Sequence, residues 1–239
     1  MDRTDLSSMW VYLSASPLFG LTLTLLAYSL AHRLYLKGNG HPLLNPVVTS
    51  VALIVSVLLL TQTNYETYFE GGQFIHFLLG PATVALAVPL YQQWARLRRI
   101  WAPLMLGLLA GSTAGALSAV ILARVFGASL QTQLSLAPKS VTAPVAMGIS
   151  EHIGGLPSLT AVMVVMTGII GAVTGTRLMI LLRINDDSVK GVAMGVAAHG
   201  IGTARAFQIS QQMGAFSGLA MALSAFIVAL ILPPLIMIF

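Results

Sequence analysis

The run Leu136-Ala-Pro-Lys-Ser-Val-Thr-Ala-Pro-Val-Ala-Met-Gly148 lies between two apolar stretches and puts a lysine, two hydroxyls and two prolines where the flanking sequence is suited to lipid. The bilayer core offers no hydrogen-bond partners. Unwound backbone and ionisable groups persist there only when buried in protein or lining a wet cavity. A second polar interruption, Ala197-Ala-His-Gly-Ile-Gly-Thr-Ala-Arg-Ala206, follows about one transmembrane hairpin later. Two such breaks point to a solute site.

The flanking sequence earns that reading because 56% of the residues are hydrophobic and only 8% are charged, with a mean hydropathy of +0.87. An ordinary soluble domain carries roughly 25% charged residues. The chain is therefore expected to be an all-α, polytopic integral membrane protein, a single domain over residues 1–239. Its net charge of +5 does not mark a nucleic-acid partner, since the cations sit in short clusters between apolar spans, where they set topology. With no cysteine, disulfides and thiolate metal sites are excluded. Met1–Leu6 lacks the basic region of a signal peptide, so the first apolar stretch reads as a retained span.

At about 20 apolar residues per crossing, six full transmembrane helices are expected: Met9–Tyr35, Leu43–Gln62, Gly72–Tyr91, Trp101–Ala123, Leu156–Leu182 and Met213–Ile238. Leu130–His152 and Ser188–Ser210 are broken by Pro, Gly and charge and read as re-entrant or discontinuous helices. Gly107, Gly111 and Gly115 recur every four residues on one helix face, as do small residues that let another helix approach closely. Arg33, Lys37, Arg96, Arg98, Arg99, Arg183 and Lys190 mark cytoplasmic loops under the positive-inside rule. That assignment holds only if Leu130–His152 dips in from outside and returns.

Shifting the chain by 57 residues lays Leu79, Pro81, Val84 and Val88 over Leu136, Pro138, Val141 and Val145, with Thr83 on Ser140 and Gly111 on Gly168. Such a register suggests internal repeats. Secondary transporters are commonly built from them, with broken helices meeting near the midplane. The backbone expected to form those breaks is Gly80, Pro81, Thr83, Pro138, Pro144, Gly200 and Gly202; proline opens a helix and a hydroxyl caps it.

Pro138-Lys-Ser-Val-Thr-Ala-Pro-Val-Ala146, Ile153-Gly-Gly-Leu-Pro-Ser-Leu-Thr-Ala161 and His199-Gly-Ile-Gly-Thr-Ala-Arg-Ala-Phe207 resemble the signature segments of the LrgB/CidB family, which includes YohK-type bacterial proteins. Pro42–Pro46 and Leu79–Leu90 extend the resemblance over nearly the whole chain. Gly148 departs from it, standing where members often carry an acidic residue. The resemblance implies a multi-pass protein of the bacterial inner membrane that self-associates into a homo-oligomer and works with a separately encoded small LrgA/CidA-like membrane protein. It implies two functions: antiholin-like regulation of murein hydrolase activity and lysis, or, as in the plastidic glycolate/glycerate translocator and pyruvate-linked bacterial members, transport of small monocarboxylates.

The residues at the breaks favour an anion on their own chemistry. Lys139 and Arg205 are costly at membrane depth unless paired, and few carboxylates in the spans neutralise them. A bound small organic anion would do so. Arg205 offers a bidentate fork and Lys139 a point charge. Ser140, Thr142 and Thr203 are placed to read the 2-hydroxyl of glycolate or a keto oxygen, and His199 titrates in the range that suits proton coupling. No phosphate loop, metal-binding pair or catalytic carboxylate pair is present, and neighbouring Lys139 and Ser140 point in different directions, so no enzyme, cofactor or metal is expected. The preferred expectation is a monocarboxylate carrier; the alternative is a holin-like or antiholin-like regulator of lysis.

Overall fold

The computed structural model describes residues 17–38, 44–78, 81, 84–85 and 87–236, and every regular element among them is helical. The chain divides into two compact units, Met1–Ala85 and Leu86–Phe239.

In the first unit, α1 (Pro17–Lys37) packs against α2 (Pro46–Thr61) and α3 (Tyr65–Phe77). Asn45 starts α2 by accepting from the Val47 N–H at 2.9 Å, with Pro46 supplying the first-turn φ at a position that needs no N–H. Gly20 lets the Tyr68 carbonyl of α3 into the space a Cβ would fill, and Thr24 Oγ1 lies 2.7 Å from the Tyr68 hydroxyl.

The second unit holds α4 (Ala87–Gln92), α5 (Trp94–Val125), α6 (Leu130–Leu136), α7 (Ala143–His152), α8 (Pro157–Leu181), α9 (Asp187–Ile209) and α10 (Gln211–Ile236). Three of these, α5 with 32 residues, α8 with 25 and α10 with 26, are long and apolar enough to cross a membrane. They coincide with three of the six expected crossings. Among the rest, Met9–Tyr35 begins outside the described residues, and Leu43–Gln62 yields only the 16-residue α2. The expected crossing at Gly72–Tyr91 is not one helix: α3 ends at Phe77, Leu78 forms a turn and α4 begins at Ala87. Prolines 81 and 89 each withhold a helix N–H in that stretch.

Helix directions follow from side-chain contacts. Leu97, Leu104 and Leu108 of α5 cluster with Phe216 and Ala220 of α10, and farther along Ala116 clusters with Val228 and Leu232, so α5 and α10 are parallel. The α8 helix runs the other way. Its far end leads to Asp186, which pairs with Arg96 at the start of α5, while Thr160 near its beginning donates at 2.9 Å to the carbonyl of Ser135 in α6, the helix that follows α5.

Both interrupted segments turn back on themselves. In the first, α6 descends, residues 137–142 form the turn, and α7 returns until the backbone around Gly155 abuts Leu134 and Ser135. The Leu156 N–H then donates to Ser135 Oγ at 2.8 Å. In the second, α9 breaks at His199, whose φ of 40° and ψ of −132° are not helical. Ser210 Oγ donates to Asp187 Oδ2 at 2.7 Å, although a straight helix would hold residues 23 apart at about 34 Å. Gly202 meets the Met194 carbonyl across the reversal, 2.7 Å from where its Cβ would lie.

The register of 57 recurs in these elements. It carries Leu130, where α6 starts, onto Asp187, where α9 starts, and α7 (Ala143–His152) onto Gly200–Ile209, the returning half of α9. It also carries α5 onto residues 151–182, which bracket α8. Each unit of the repeat is a long helix followed by a helical hairpin, and the two units run in opposite directions. In the earlier sequence match, Leu79 and Thr83 lie outside the described residues.

Candidate functional site

A cavity of about 600 Å³ lies between α5, the first half of α9 and the turn of the first hairpin, within the range of small-molecule sites. The wall from α5 is Arg96, Ile100, Pro103, Leu104, Gly107, Gly111 and Gly115, one face of the helix. From Arg96 to Gly115 that face is about 28 Å long. The opposite wall is Ser188, Val189, Val192, Ala193, Val196 and Ala197, and Lys139 and Ser140 occupy the Gly115 end.

The glycine stripe makes this space. A Cβ on Gly107 would meet nothing within 4 Å, one on Gly115 would lie 3.5 Å from Ser140 Oγ, and one on Gly111 would lie 3.3 Å from Val196. The expected role for this stripe was close approach of another helix; instead its face is the lining of a cavity, with one snug contact at Gly111. The later glycines do pack tightly. A Cβ on Gly168 would lie 2.7 Å from the His199 ring, and one on Gly171 would lie 2.5 Å from Ala198.

The charges are unevenly placed. Two ion pairs occur among the described residues, Arg96 with Asp186 and Lys190 with Asp187, and neither involves Lys139. Lys139 Nζ donates to Ser140 Oγ at 3.4 Å. The Arg96–Asp186 pair sits at the other end of the cavity, where Asp186 also caps α9 by accepting from the Ser188 N–H at 2.7 Å. Partial burial opposes ionisation of Asp186, but the Ser188 and Val189 N–H groups and Arg96 outweigh it and hold the carboxyl below its ordinary range. Asp187 is lowered chiefly by the Ser210 hydroxyl and next by Lys190.

The expected site residues separate into two groups. Lys139 and Ser140 line the cavity beside Pro138, which is fully buried in the turn. Thr142 is the N-cap residue of α7, with Pro144 in its first turn, and makes no side-chain cap bond. His199, Thr203 and Arg205 are not among the lining residues. His199 is 4% exposed and its Nε2–H donates to the Val164 carbonyl of α8 at 2.9 Å. Thr203 Oγ1 donates to the His199 carbonyl and lies 2.9 Å from Ser217 Oγ. Arg205 donates to Gln208 Oε1 at 3.1 Å on the returning half of α9, where Gly202 provides the close contact of the reversal and Gly200 has only Met221 of α10 near it, 3.9 Å from where its Cβ would lie. Pro81 is exposed, and Gly80 and Thr83 lie outside the described residues.

Sequence reading missed the cavity mouth. From sequence, Arg96 is a topology signal, and the adjacent Asp186-Asp187 is a solvated carboxylate pair rather than a site. The N-cap that Asp186 forms was detectable, as an aspartate immediately before Asp-Ser-Val-Lys, whereas Arg96 facing it has no local signal.

The model of the LrgB-like family matches residues 24–238. The chain belongs to the LrgB-like family. Relatives of this LrgB-like protein include YxaC of Bacillus subtilis, described as uncharacterized, 40% identical over 85% of this chain and 88% of its own length. The holin-like protein CidB of Staphylococcus epidermidis is 32% identical over 91% of this chain and 94% of its own. The antiholin-like protein LrgB of Bacillus cereus is 28% identical over 91% and 95%. No solved structure matches the chain.

Proposed function

We propose that this LrgB-like protein is a carrier of small monocarboxylates in the bacterial cell membrane, with Lys139 as the counter-ion of the carboxylate and Ser140 as its hydroxyl partner. One observation carries the reading. A lysine without a carboxylate partner stands at the end of a largely apolar cavity whose floor is the turn of a helical hairpin. A cation there is expensive until an anion joins it, and an ion that neutralises it gains the charge-assisted bond that the chain itself does not provide.

In this reading the basic ends at Arg96, Arg183 and Lys190 face the cytoplasm, α5, α8 and α10 cross the bilayer, and the N-terminal unit adds crossings. The hairpins enter from opposite faces. His199 then acts through the position of the second turn, since its ring packs against α8, and Arg205 through the returning helix. Saturable uptake of labelled pyruvate, glycolate or lactate into proteoliposomes, falling at least tenfold in Lys139→Ala, is expected; equal uptake by that variant overturns the site.

The relatives' names, holin-like and antiholin-like, favour a second reading more than the first: a membrane protein that, as the family resemblance implies, governs murein hydrolase activity and lysis, assembled as a homo-oligomer or with a small LrgA/CidA-like partner. That reading predicts leak of unrelated solutes that grows with assembly and is indifferent to Lys139. Measuring carboxyfluorescein release alongside uptake, with and without the small partner, separates the two.

A further inference from the structure

The two repeat units are not in the same state. Between α5 and the second hairpin there is open space, whereas the equivalent seam between α8 and the first hairpin is shut. The register of 57 carries Pro103, Leu104, Gly107, Gly111 and Gly115 of the open wall onto Thr160, Ala161, Val164, Gly168 and Ala172 of α8. It carries Val192 and Val196 of the opposite wall back onto Ser135 and Lys139. Where the first set lines a cavity, Thr160 and Val164 are at most 1% exposed and pack against the first hairpin, while Gly168 is covered by His199 of the second.

The shut seam is polar. Thr160 Oγ1 donates to the Ser135 carbonyl at 2.9 Å and lies 2.7 Å from Ser150 Oγ, and Ser135 Oγ accepts from the Leu156 N–H at 2.8 Å. All three hydroxyl residues are fully buried. A seam meant to stay closed gains more from apolar packing, because hydrogen bonds formed in place of bonds to water contribute little net stability. Hydroxyls that bond across the seam when it is shut, Thr160 to Ser150 and to the Ser135 carbonyl, and bind water when it is open make separation inexpensive. Lys139 and Ser140 sit on the turn between the two seams, facing the open one.

We infer that the α8–first-hairpin seam is a latent second groove, the counterpart of the observed cavity, which opens toward the opposite membrane face and takes the same monocarboxylate from Lys139. The inference rests on the proposed carrier function for its ligand but on repeat geometry for its location. In the open form the groove is lined by Ser135, Ser150, Thr160 and Val164, and the α5 groove closes by bringing the second hairpin against the glycine stripe, which has room for it at Gly107.

The chain has no cysteine, so single substitutions report accessibility without background. Thr160→Cys, in membranes, is expected to react with a membrane-impermeant maleimide added from the outer face at least tenfold faster than Ala220→Cys, a core control that is 0% exposed. Ser135→Cys repeats the test if Thr160→Cys does not fold. Oxidising the Ser150→Cys/Thr160→Cys pair should abolish pyruvate uptake, with reduction restoring it. Thr160→Cys and Ser135→Cys as inert as the core control, in protein that still takes up pyruvate, would overturn the second groove and leave the carrier intact. Outer-face labelling in protein that takes up no monocarboxylate would uphold the groove and overturn the carrier reading.

Discussion

Thr142 and His199 hold equivalent positions in the two hairpins, one register of 57 apart, and the chain builds their turns differently. Around Thr142 the reversal is spread over residues 137–142, and Thr142 keeps ordinary extended geometry, φ −62° and ψ 146°. The second hairpin turns essentially at His199, in a left-handed conformation that costs a non-glycine residue of order 1–3 kcal/mol. The wide turn leaves Lys139 and Ser140 free to face a cavity. The tight turn drives its own side chain into α8, where the Val164 carbonyl and the Gly168 surface receive it. Turn width, rather than residue polarity, decides which tip faces the cavity.

The largest effect expected from this difference is at Lys139. Lys139→Ala should lower monocarboxylate uptake at least tenfold, while Lys139→Arg, which keeps the charge but moves it, should retain part. Equal losses from Thr203→Ala, buried behind the second turn, would erase the distinction between the tips. Next come the tips themselves. His199→Ala keeps the strained backbone, loses the bond to Val164 and leaves a void, and should destabilise the detergent-solubilised protein by about 2–4 kcal/mol. Thr142→Ala, which has no cap bond to lose, should change thermal unfolding by less than about 0.5 kcal/mol.

A smaller contrast separates the glycines. Gly168→Ala must displace the His199 ring and should cost about 1–3 kcal/mol by overpacking. Gly107→Ala points into open space and should be neutral or stabilising by up to about 1 kcal/mol, the ordinary helix preference for alanine. Similar unfolding temperatures for the two variants would mean that the seams are equally packed.

The smallest effect is at the mouth. Asp186 and Asp187 are held below the ordinary carboxylate range, so the anchoring they give the second hairpin is fully present above the unfolded-state pKa near 4 and fades as pH falls through the lower folded-state values. Hydrogen exchange along α9 should accordingly rise only in that acid window. In the Asp186→Asn/Asp187→Asn double variant the exchange should already be raised at neutral pH and show no acid dependence.

Much of the architecture was legible because lipid makes polar interruptions expensive. Pro138, Lys139 and Pro144 announced the first break, Gly200 and Gly202 the second, and the basic residues favoured a first break that returns to its starting side. The character of the second turn was not legible: Gly200 and Gly202 marked a break within Ser188–Ser210, but nothing marks His199, rather than a neighbouring glycine, as the position that adopts a positive φ. The glycine stripe of α5 was ambiguous for a physical reason: absence of a side chain makes room equally for a neighbouring helix or for a cavity, and only the position of α9 decides between them. Arg96 and Asp186 meet 90 residues apart in sequence, beyond any local pattern.

The claim at the centre of this account is that a carboxylate binds at Lys139 on the turn of the first hairpin. Ser140→Cys, a lone thiol beside that lysine, reports occupancy directly through its rate of alkylation by a hydrophilic maleimide. Saturating pyruvate should slow that rate at least tenfold, and the protection should vanish in Ser140→Cys/Lys139→Ala. Alkylation indifferent to pyruvate, glycolate and lactate, or protection that survives loss of Lys139, would contradict the account.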